Sequence, residues 1–114
     1  MAIHYNLSKI YAIADDDQEF VLQIVNLFFD EVLPDLNYVK EGIKEEDYSK
    51  AYAYSHKCKP TLDLLSLDEA KEEIIQIENW TKEKGRKKDI IEVYKSMQNR
   101  IDLAAAEIKK DFNL

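Results

Sequence analysis

The sequence contains very little glycine and proline, with two residues of each in 114. Antiparallel sheet folds need frequent turns, and these two residue types are among the commonest in turns. So small a supply argues against a sandwich or barrel of short strands. The abundant Glu, Lys, Leu, Ile and Ala are typical of helices instead. We therefore expect an all-α fold in a single domain, residues 1–114, with one hydrophobic core.

Cysteine and long apolar runs are also scarce. Cys58 is the single cysteine, which excludes a disulfide within the chain and is typical of a reducing compartment. The opening segment MAIHYNLSKI lacks the apolar core of a signal peptide, and no apolar run approaches membrane-spanning length. We expect a cytoplasmic protein.

Positive charge is in deficit, because 23 acidic residues outnumber 16 Lys and Arg and leave a net charge of −7. Nucleic acids and anionic membranes would be repelled over most of such a surface, so we expect neither as a partner. The sequence has no nucleotide-binding motif, which argues against a kinase. A di-iron bundle needs Glu-x-x-His pairs, and Ala53 stands where the glutamate would precede His56.

Apolar periodicity predicts five helices, the first of them short. The acidic run 15–17 supplies an N-cap for the second helix, which kinks or restarts at Pro34. The helix-defining positions are, in chain order, Leu7, Ile10, Tyr11 and Ile13; Phe20, Ile24, Leu27 and Phe28, then Leu36, Val39 and Ile43; Ala51, Ser55, Cys58, Leu62 and Leu65; Leu67, Ala70, Ile74, Ile77 and Thr81; and Ile90, Tyr94, Met97, Ile101, Ala104 and Ile108.

Capping and helix-terminating residues set the expected helix boundaries. The third helix begins near Asp47, and Ser66 with Glu69 has the spacing of a capping box for the fourth. Gly85 ends the fourth helix, and residues 86–89 form the next turn. Phe112 closes the last helix. Short connections between four substantial helices favour an antiparallel up-and-down four-helix bundle, with the short first helix across one end.

The stretch SHKCKP, residues 55–60, places a histidine on the flank of the third helix. With a turn of about 100° per residue, His56 shares one strip with Tyr52, Lys59 and Asp63. Lys57 lies on the other side of the helix. An imidazole with a lysine one turn away combines a nucleophile with positive charge, as phosphoryl transfer requires.

The turn after the third helix predicts a partner for this histidine. Leu67, near the centre of the turn, is equally far in sequence from His56 and Glu78. The two residues therefore sit at the same height in an antiparallel hairpin. A carboxylate there would accept a hydrogen bond from the Nδ1–H group and leave the Nε2 lone pair directed at solvent.

With these residues in place, the chain resembles the histidine-containing phosphotransfer (HPt) domains of multistep bacterial phosphorelays. The segment NLSKIYAIADDDQEFVLQIVNLF is similar to the family's opening Leu-x-x-Leu … Asp-x-Glu-Phe pattern. Residues 56–60, HKCKP, are similar to its His-x-Leu-Lys-Gly signature, and Ser55 supplies the small residue that usually precedes the histidine. Glu78 stands where the family has a Gln or Glu that hydrogen-bonds to the imidazole.

The resemblance implies a phosphocarrier rather than a kinase. His56 would be the phosphoacceptor, Lys59 the cation that neutralises the phosphate, and Glu78 the group that orients the imidazole. The partners would be receiver domains of response regulators, with a hybrid sensor histidine kinase as a further candidate. The chain itself would need no cofactor, because the receiver domain holds the Mg²⁺, and we expect a monomer. The surface that contacts the partner is expected to include Tyr52, Lys57, Pro60 and Asp63.

Two departures from the family pattern keep an alternative open. Pro60 and Ser66 stand at positions usually occupied by glycine. Proline has no long side chain and keeps the approach to the histidine open, but it removes the amide donor to the His56 carbonyl and should bend the helix locally. The alternative is an HPt-like binding or scaffold module that has lost phosphotransfer.

Overall fold

The computed structural model describes residues 4–15 and 17–114. All regular secondary structure in this part of the chain is helical, which confirms the all-α prediction. The helices are α1 (Ser8–Ala14), α2 (Gln18–Leu27), α3 (Leu33–Glu45), α4 (Tyr48–Leu64), α5 (Asp68–Glu83) and α6 (Lys87–Phe112). A π-helical turn, Phe28–Val32, joins α2 to α3.

The interruption expected near Pro34 takes the form of this π-helical turn. The amide of Leu33 donates to the carbonyl of Phe28, five residues earlier, which is the wide hydrogen bond of a π-helix. Pro34 then lies in the first turn of α3, where its missing N–H group costs little. The chain therefore passes from α2 into α3 without a loop.

The inward faces predicted for α4, α5 and α6 are confirmed, since every position assigned to them is buried. Leu67 belongs to this buried set although it precedes the first residue of α5. The predicted positions recur at spacings of three and four residues, which keeps them on one face of each helix.

The face predicted for α2 was partly wrong: Phe28 is buried as predicted, but Leu27 is only partly buried. Val21, Val25 and Phe28 are completely buried, whereas Phe20 and Ile24 are only partly buried against the core. Apolar residues occupy two adjoining stripes of this helix, so spacing alone does not tell which of the two faces inward.

The acidic run before α2 caps it through one side chain. The Asp17 carboxylate accepts a hydrogen bond from the Glu19 amide at 3.0 Å. Asp15 takes a left-handed conformation at the end of α1. Asp16, which belongs to the predicted capping run, lies outside the described residues. In α1 itself only Ile10 is buried, and Ile13 is 65% exposed.

The capping box predicted for α5 does not form. Ser66 has a left-handed φ of 58°, and Leu67 is the N-cap without any side-chain cap. Ser66 is committed to ending α4, because the following amide, that of Leu67, donates to the carbonyl of Leu62 at 2.9 Å. The backbone conformation that ends α4 therefore prevents Ser66 from acting as the N-cap of α5.

The turn after α5 is also shorter than predicted. Lys84, not Gly85, takes the left-handed conformation, and Arg86 is the N-cap of α6. Residues 87–89, expected in the turn, form the first turn of α6. Gly85 is needed for space: a Cβ atom there would lie 2.5 Å from the ring of Trp80. The prediction that α5 ends just before this glycine is confirmed, and so is the end of α6 at Phe112.

The helices pack as neighbours in a closed order. Helix α3 packs against α4, α4 against α5, α5 against α6, and α6 contacts α3. This order sets α4 beside α5, the arrangement on which the pairing of His56 with Glu78 depends. None of the helices in residues 4–15 and 17–114 is both long and apolar enough to span a membrane.

Candidate functional site

The candidate site lies at the α4–α5 interface, where His56 meets Glu78. The Nδ1 atom of His56 is 3.0 Å from Oε2 of Glu78, so the contact predicted from the symmetry of the hairpin is present. The His56 side chain is 60% exposed, whereas that of Glu78 is 6% exposed. A buried carboxylate thus holds one nitrogen of a solvent-facing imidazole.

The charge on Glu78 decides the tautomer of His56. Burial by itself would raise the pKa of Glu78, but the hydrogen bonds from Lys59 and His56 outweigh it and leave the pKa below its ordinary value. Ionised carboxylate oxygens only accept hydrogen bonds, so Nδ1 carries the proton. In the neutral ring the lone pair then resides on Nε2, which has no hydrogen-bond partner within residues 4–15 and 17–114.

Lys59 is bound to the same carboxylate. Its Nζ atom lies 2.9 Å from Oε1 of Glu78, the oxygen that His56 does not use. The side chain is 30% exposed, and it stands one helical turn from His56 along α4. The lysine predicted to neutralise a phosphate is therefore paired in this structure, but its ammonium group remains at the edge of the site.

Tyr52 lies on the other side of the imidazole. Its ring is stacked on His56 at 5.5 Å between centroids and 12° between planes. Lys82, on α5, places its Nζ atom 5.7 Å from the centre of the Tyr52 ring. The site thus has Lys59 on one side of the histidine and a tyrosine covered by a second lysine on the other.

The other predicted contact residues on α4 make ion pairs outside this cluster. Lys57 lies 3.2 Å from Asp35 of α3, on the far side of the helix as predicted. Asp63 accepts from Lys71 at 2.8 Å and from Lys9 at 3.1 Å. These hydrogen bonds, from Lys71 first, lower the pKa of Asp63. Asp63 shares the predicted strip with His56, but its hydrogen-bond partners are these two lysines rather than the histidine.

Pro60 is exposed inside α4, and the helix continues through it to Leu64. It presents no long side chain beside His56. The local bend expected there stays a prediction.

The residues of the stretch that face inward are inert. Ser55 and Cys58 are completely buried. Burial, with a further contribution from the charge of Asp35, raises the pKa of Cys58 to about 12, so its thiol stays protonated and unreactive at neutral pH.

Sequence reasoning missed two features of the site. One is the bridging role of Glu78, which holds His56 and Lys59 through separate oxygens. The other is Lys82, although a signal for it existed, since it lies one turn beyond Glu78 on α5 and so on the same side of that helix.

Within residues 4–15 and 17–114, no group of three or more His, Cys, Asp or Glu side chains is arranged to hold a metal ion. The expectation that Mg²⁺ is carried by the partner stays a prediction.

Comparisons of the chain with models of protein families, with curated proteins and with solved structures found no match. The candidate function therefore rests on the resemblance of the motifs and on the geometry of the site.

Proposed function

We propose that this protein is a phosphorelay intermediate, in which His56 accepts a phosphoryl group from a receiver-domain aspartate and passes it to another receiver. The observation that carries the proposal is the orientation of one imidazole. Nδ1 is held 3.0 Å from a buried carboxylate, and the ring, 60% exposed, presents Nε2 to an incoming partner. A buried histidine would have favoured the alternative of a scaffold.

In the proposed transfer, the Nε2 lone pair of His56 forms a bond to phosphorus. The bond from phosphorus to the aspartyl oxygen breaks, and its electron pair stays on the departing carboxylate. No proton has to leave the ring, because Nδ1 remains protonated against Glu78. The positive charge that the imidazole acquires lies beside an ionised carboxylate, which stabilises the product without an acid–base triad.

Lys59 would stabilise the phosphoryl oxygens. It is bound to Glu78 by an ion pair at the edge of the site, and rotation about its side chain exchanges this carboxylate for the phosphate. Phosphoryl transfer places negative charge on the equatorial oxygens, so a nearby ammonium lowers the barrier electrostatically.

The proposal includes the finer architecture, an antiparallel up-and-down bundle of four helices with a short additional N-terminal helix. The order of packing and the short connections between α3, α4, α5 and α6 support it. It also includes a cytoplasmic monomer whose partners are receiver domains that supply Mg²⁺, with Tyr52 and Pro60 at the contact. Neither nucleic acid nor membrane is a partner in this proposal.

A second function, a binding module without phosphotransfer, is favoured by one observation. The ammonium group of Lys59 is already bound to Glu78 at 2.9 Å, so its positive charge is partly neutralised. Such a module would bind a receiver domain equally well after His56→Ala.

The test is transfer from a phosphorylated receiver domain with Mg²⁺ present. The proposal expects a phosphate that is labile in acid and stable in alkali, on the wild-type protein and not on His56→Gln. The chain has two histidines, so His4→Gln is the matched control and should be labelled normally. Absence of label on the wild-type protein with several receivers, together with receiver binding that His56→Ala does not change, would establish the binding module instead.

A further inference from the structure

A second charged feature lies on helices α3 and α6, neither of which carries His56 or Glu78. A groove of about 690 Å³ runs between these helices. Four lysines line it: Lys40 and Lys44 from α3, and Lys87 and Lys95 from α6. In a chain with a net charge of −7, a groove that collects four cations is a marked local reversal of sign.

Most of this charge is not neutralised locally. Within residues 4–15 and 17–114, neither Lys40 nor Lys44 has a carboxylate oxygen within 4.0 Å of its ammonium group. The ammonium group of Lys87 donates to the carbonyl of Lys44 at 3.4 Å, and the Glu46 carboxylate accepts only from the Lys87 backbone amide, at 2.9 Å. Lys95 lies 3.6 Å from Glu92, but this pair is exposed and such pairs contribute little. The groove therefore keeps a positive potential that an anionic partner can use.

The floor of the groove is apolar. Ile91 and Tyr94 of α6 line it between the lysines. The Tyr94 hydroxyl is satisfied within the protein, at 3.1 Å from the carbonyl of Leu36 and 2.9 Å from Oε1 of Gln98. Tyr94 is buried and closes the floor from below, so a partner meets the half-buried aliphatic side chain of Ile91 rather than a free polar group.

The shape of the groove favours an elongated occupant over a compact one. Its lining residues on α6 extend from Lys87 to Asp102, about four helical turns or roughly 22 Å. The lysines cluster toward one end, and Asp102, which accepts from Gln98 at 2.9 Å, marks the other. A small anion would use only the lysine end and leave the end near Asp102 empty.

We infer that this groove binds an amphipathic, acidic helix of a partner protein. An apolar stripe with spacings of three and four residues would lie over Ile91, and glutamates or aspartates on both flanks would meet the lysines.

The negative charge of the remaining surface adds specificity. It repels an acidic helix elsewhere and so restricts docking to the groove. Helices α3 and α6 carry the groove, while α4 and α5 carry His56, Lys59 and Glu78, so the groove can be occupied while the histidine is free. The inference does not depend on the proposed function of His56.

The experiment uses the full chain and a synthetic helical peptide of about 16 residues, with leucines along one face and glutamates on both flanks. We expect saturable binding by calorimetry at low salt, with NMR shifts centred on Ile91 and Tyr94. The double variant Lys40→Gln/Lys44→Gln should weaken binding about five- to tenfold, since two rim ion pairs are lost. Lys109→Gln/Lys110→Gln removes the same charge outside the groove and should change binding less than about twofold.

Three outcomes would overturn the inference. The first is absence of binding, and the second is equal weakening by both double variants, which would mean attraction to the whole surface. The third is a peptide with glutamine in place of glutamate that binds as well as the acidic one. ATP and pyrophosphate serve as compact anions: if either binds the groove more tightly than the peptide, the site belongs to a small polyanion. The variant His56→Gln should keep full peptide binding whatever its phosphotransfer.

Discussion

Glu78 and His56 form a contact in which one partner is buried and the other exposed: Oε2 lies 3.0 Å from Nδ1, with side-chain exposures of 6% and 60%. The second oxygen of the carboxylate binds Lys59 at 2.9 Å. One anchored carboxylate therefore positions both the proposed nucleophile and the proposed cation.

Removal of the Lys59 ammonium should slow phosphotransfer without abolishing it. We expect Lys59→Gln to lower the initial rate from a phosphorylated receiver about tenfold, equivalent to about 1.4 kcal/mol in the barrier. Lys50→Gln is the matched control, because Lys50 is on the same helix but pairs with Glu41 at 2.9 Å. Its rate should stay within about twofold of wild type. Equal rates for both variants would remove Lys59 from the mechanism.

Glu78 should make stability depend on pH. Its pKa is lowered in the folded protein, because the hydrogen bonds from Lys59 and His56 outweigh the effect of burial. A lowered carboxyl pKa contributes stability above the ordinary value of 4.5, and this contribution is lost as the pH falls through the lowered pKa. Glu78→Gln should therefore cost more free energy of unfolding near neutral pH than at about pH 3.

Urea unfolding of the wild type and Glu78→Gln at both pH values measures this difference directly. A gap that stays constant, or that widens toward acid pH, would contradict the assigned charge of Glu78.

The pairing of His56 with Glu78 was predictable, because equal distances from a turn fix equal heights in a helical hairpin. The buried stripes of α4 to α6 were predictable because residues three and four apart in the sequence lie on one face of a helix. The hydrogen bond from Lys59 to Glu78 was not predictable, because the rotamer of a long side chain depends on which carboxylate is nearest in three dimensions. The roles of these residues in transfer stay predictions.

Local signals failed where two elements compete for one residue. Ser66 has the side chain of an N-cap for α5, but its backbone completes the end of α4 with a φ of 58°. In α2, Phe20 and Ile24 form as regular a stripe as Val21 and Val25, and only packing against the other helices selects the buried pair. Contacts between helices decide both cases, and the local sequence pattern of one helix does not predict those contacts.

A methyl group at Gly42 should destabilise the fold. A Cβ atom there would lie 2.7 Å from the backbone nitrogen of Ala51, so α3 and α4 would have to separate. Overpacking of this kind costs about 1–3 kcal/mol, more than the gain of up to about 1 kcal/mol in helix propensity. Thermal unfolding of Gly42→Ala should show a lower Tm, whereas Asn37→Ala, exposed on the same helix, should not. A raised Tm for Gly42→Ala would mean that the two helices separate at little cost.

Pro60→Ala should stabilise the protein while leaving phosphotransfer intact. Pro60 lies inside α4, where it supplies no N–H for the carbonyl of His56, and proline in a helix interior costs about 3 kcal/mol relative to alanine. Because the residue is exposed, alanine fits without new contacts, and we expect a gain of about 1–3 kcal/mol in urea unfolding.

Two substitutions of Pro60 distinguish an effect on stability from an effect on partner access to His56. Alanine keeps the short side chain that a docking receiver needs, so Pro60→Ala should transfer at a rate within about twofold of wild type. Pro60→Gln restores the same backbone donor but adds a longer side chain one turn from His56, so it should gain similar stability and lose transfer. If alanine and glutamine transfer equally well, the partner does not approach over residue 60, and the contact surface proposed around Tyr52 and Pro60 would have to move toward α5.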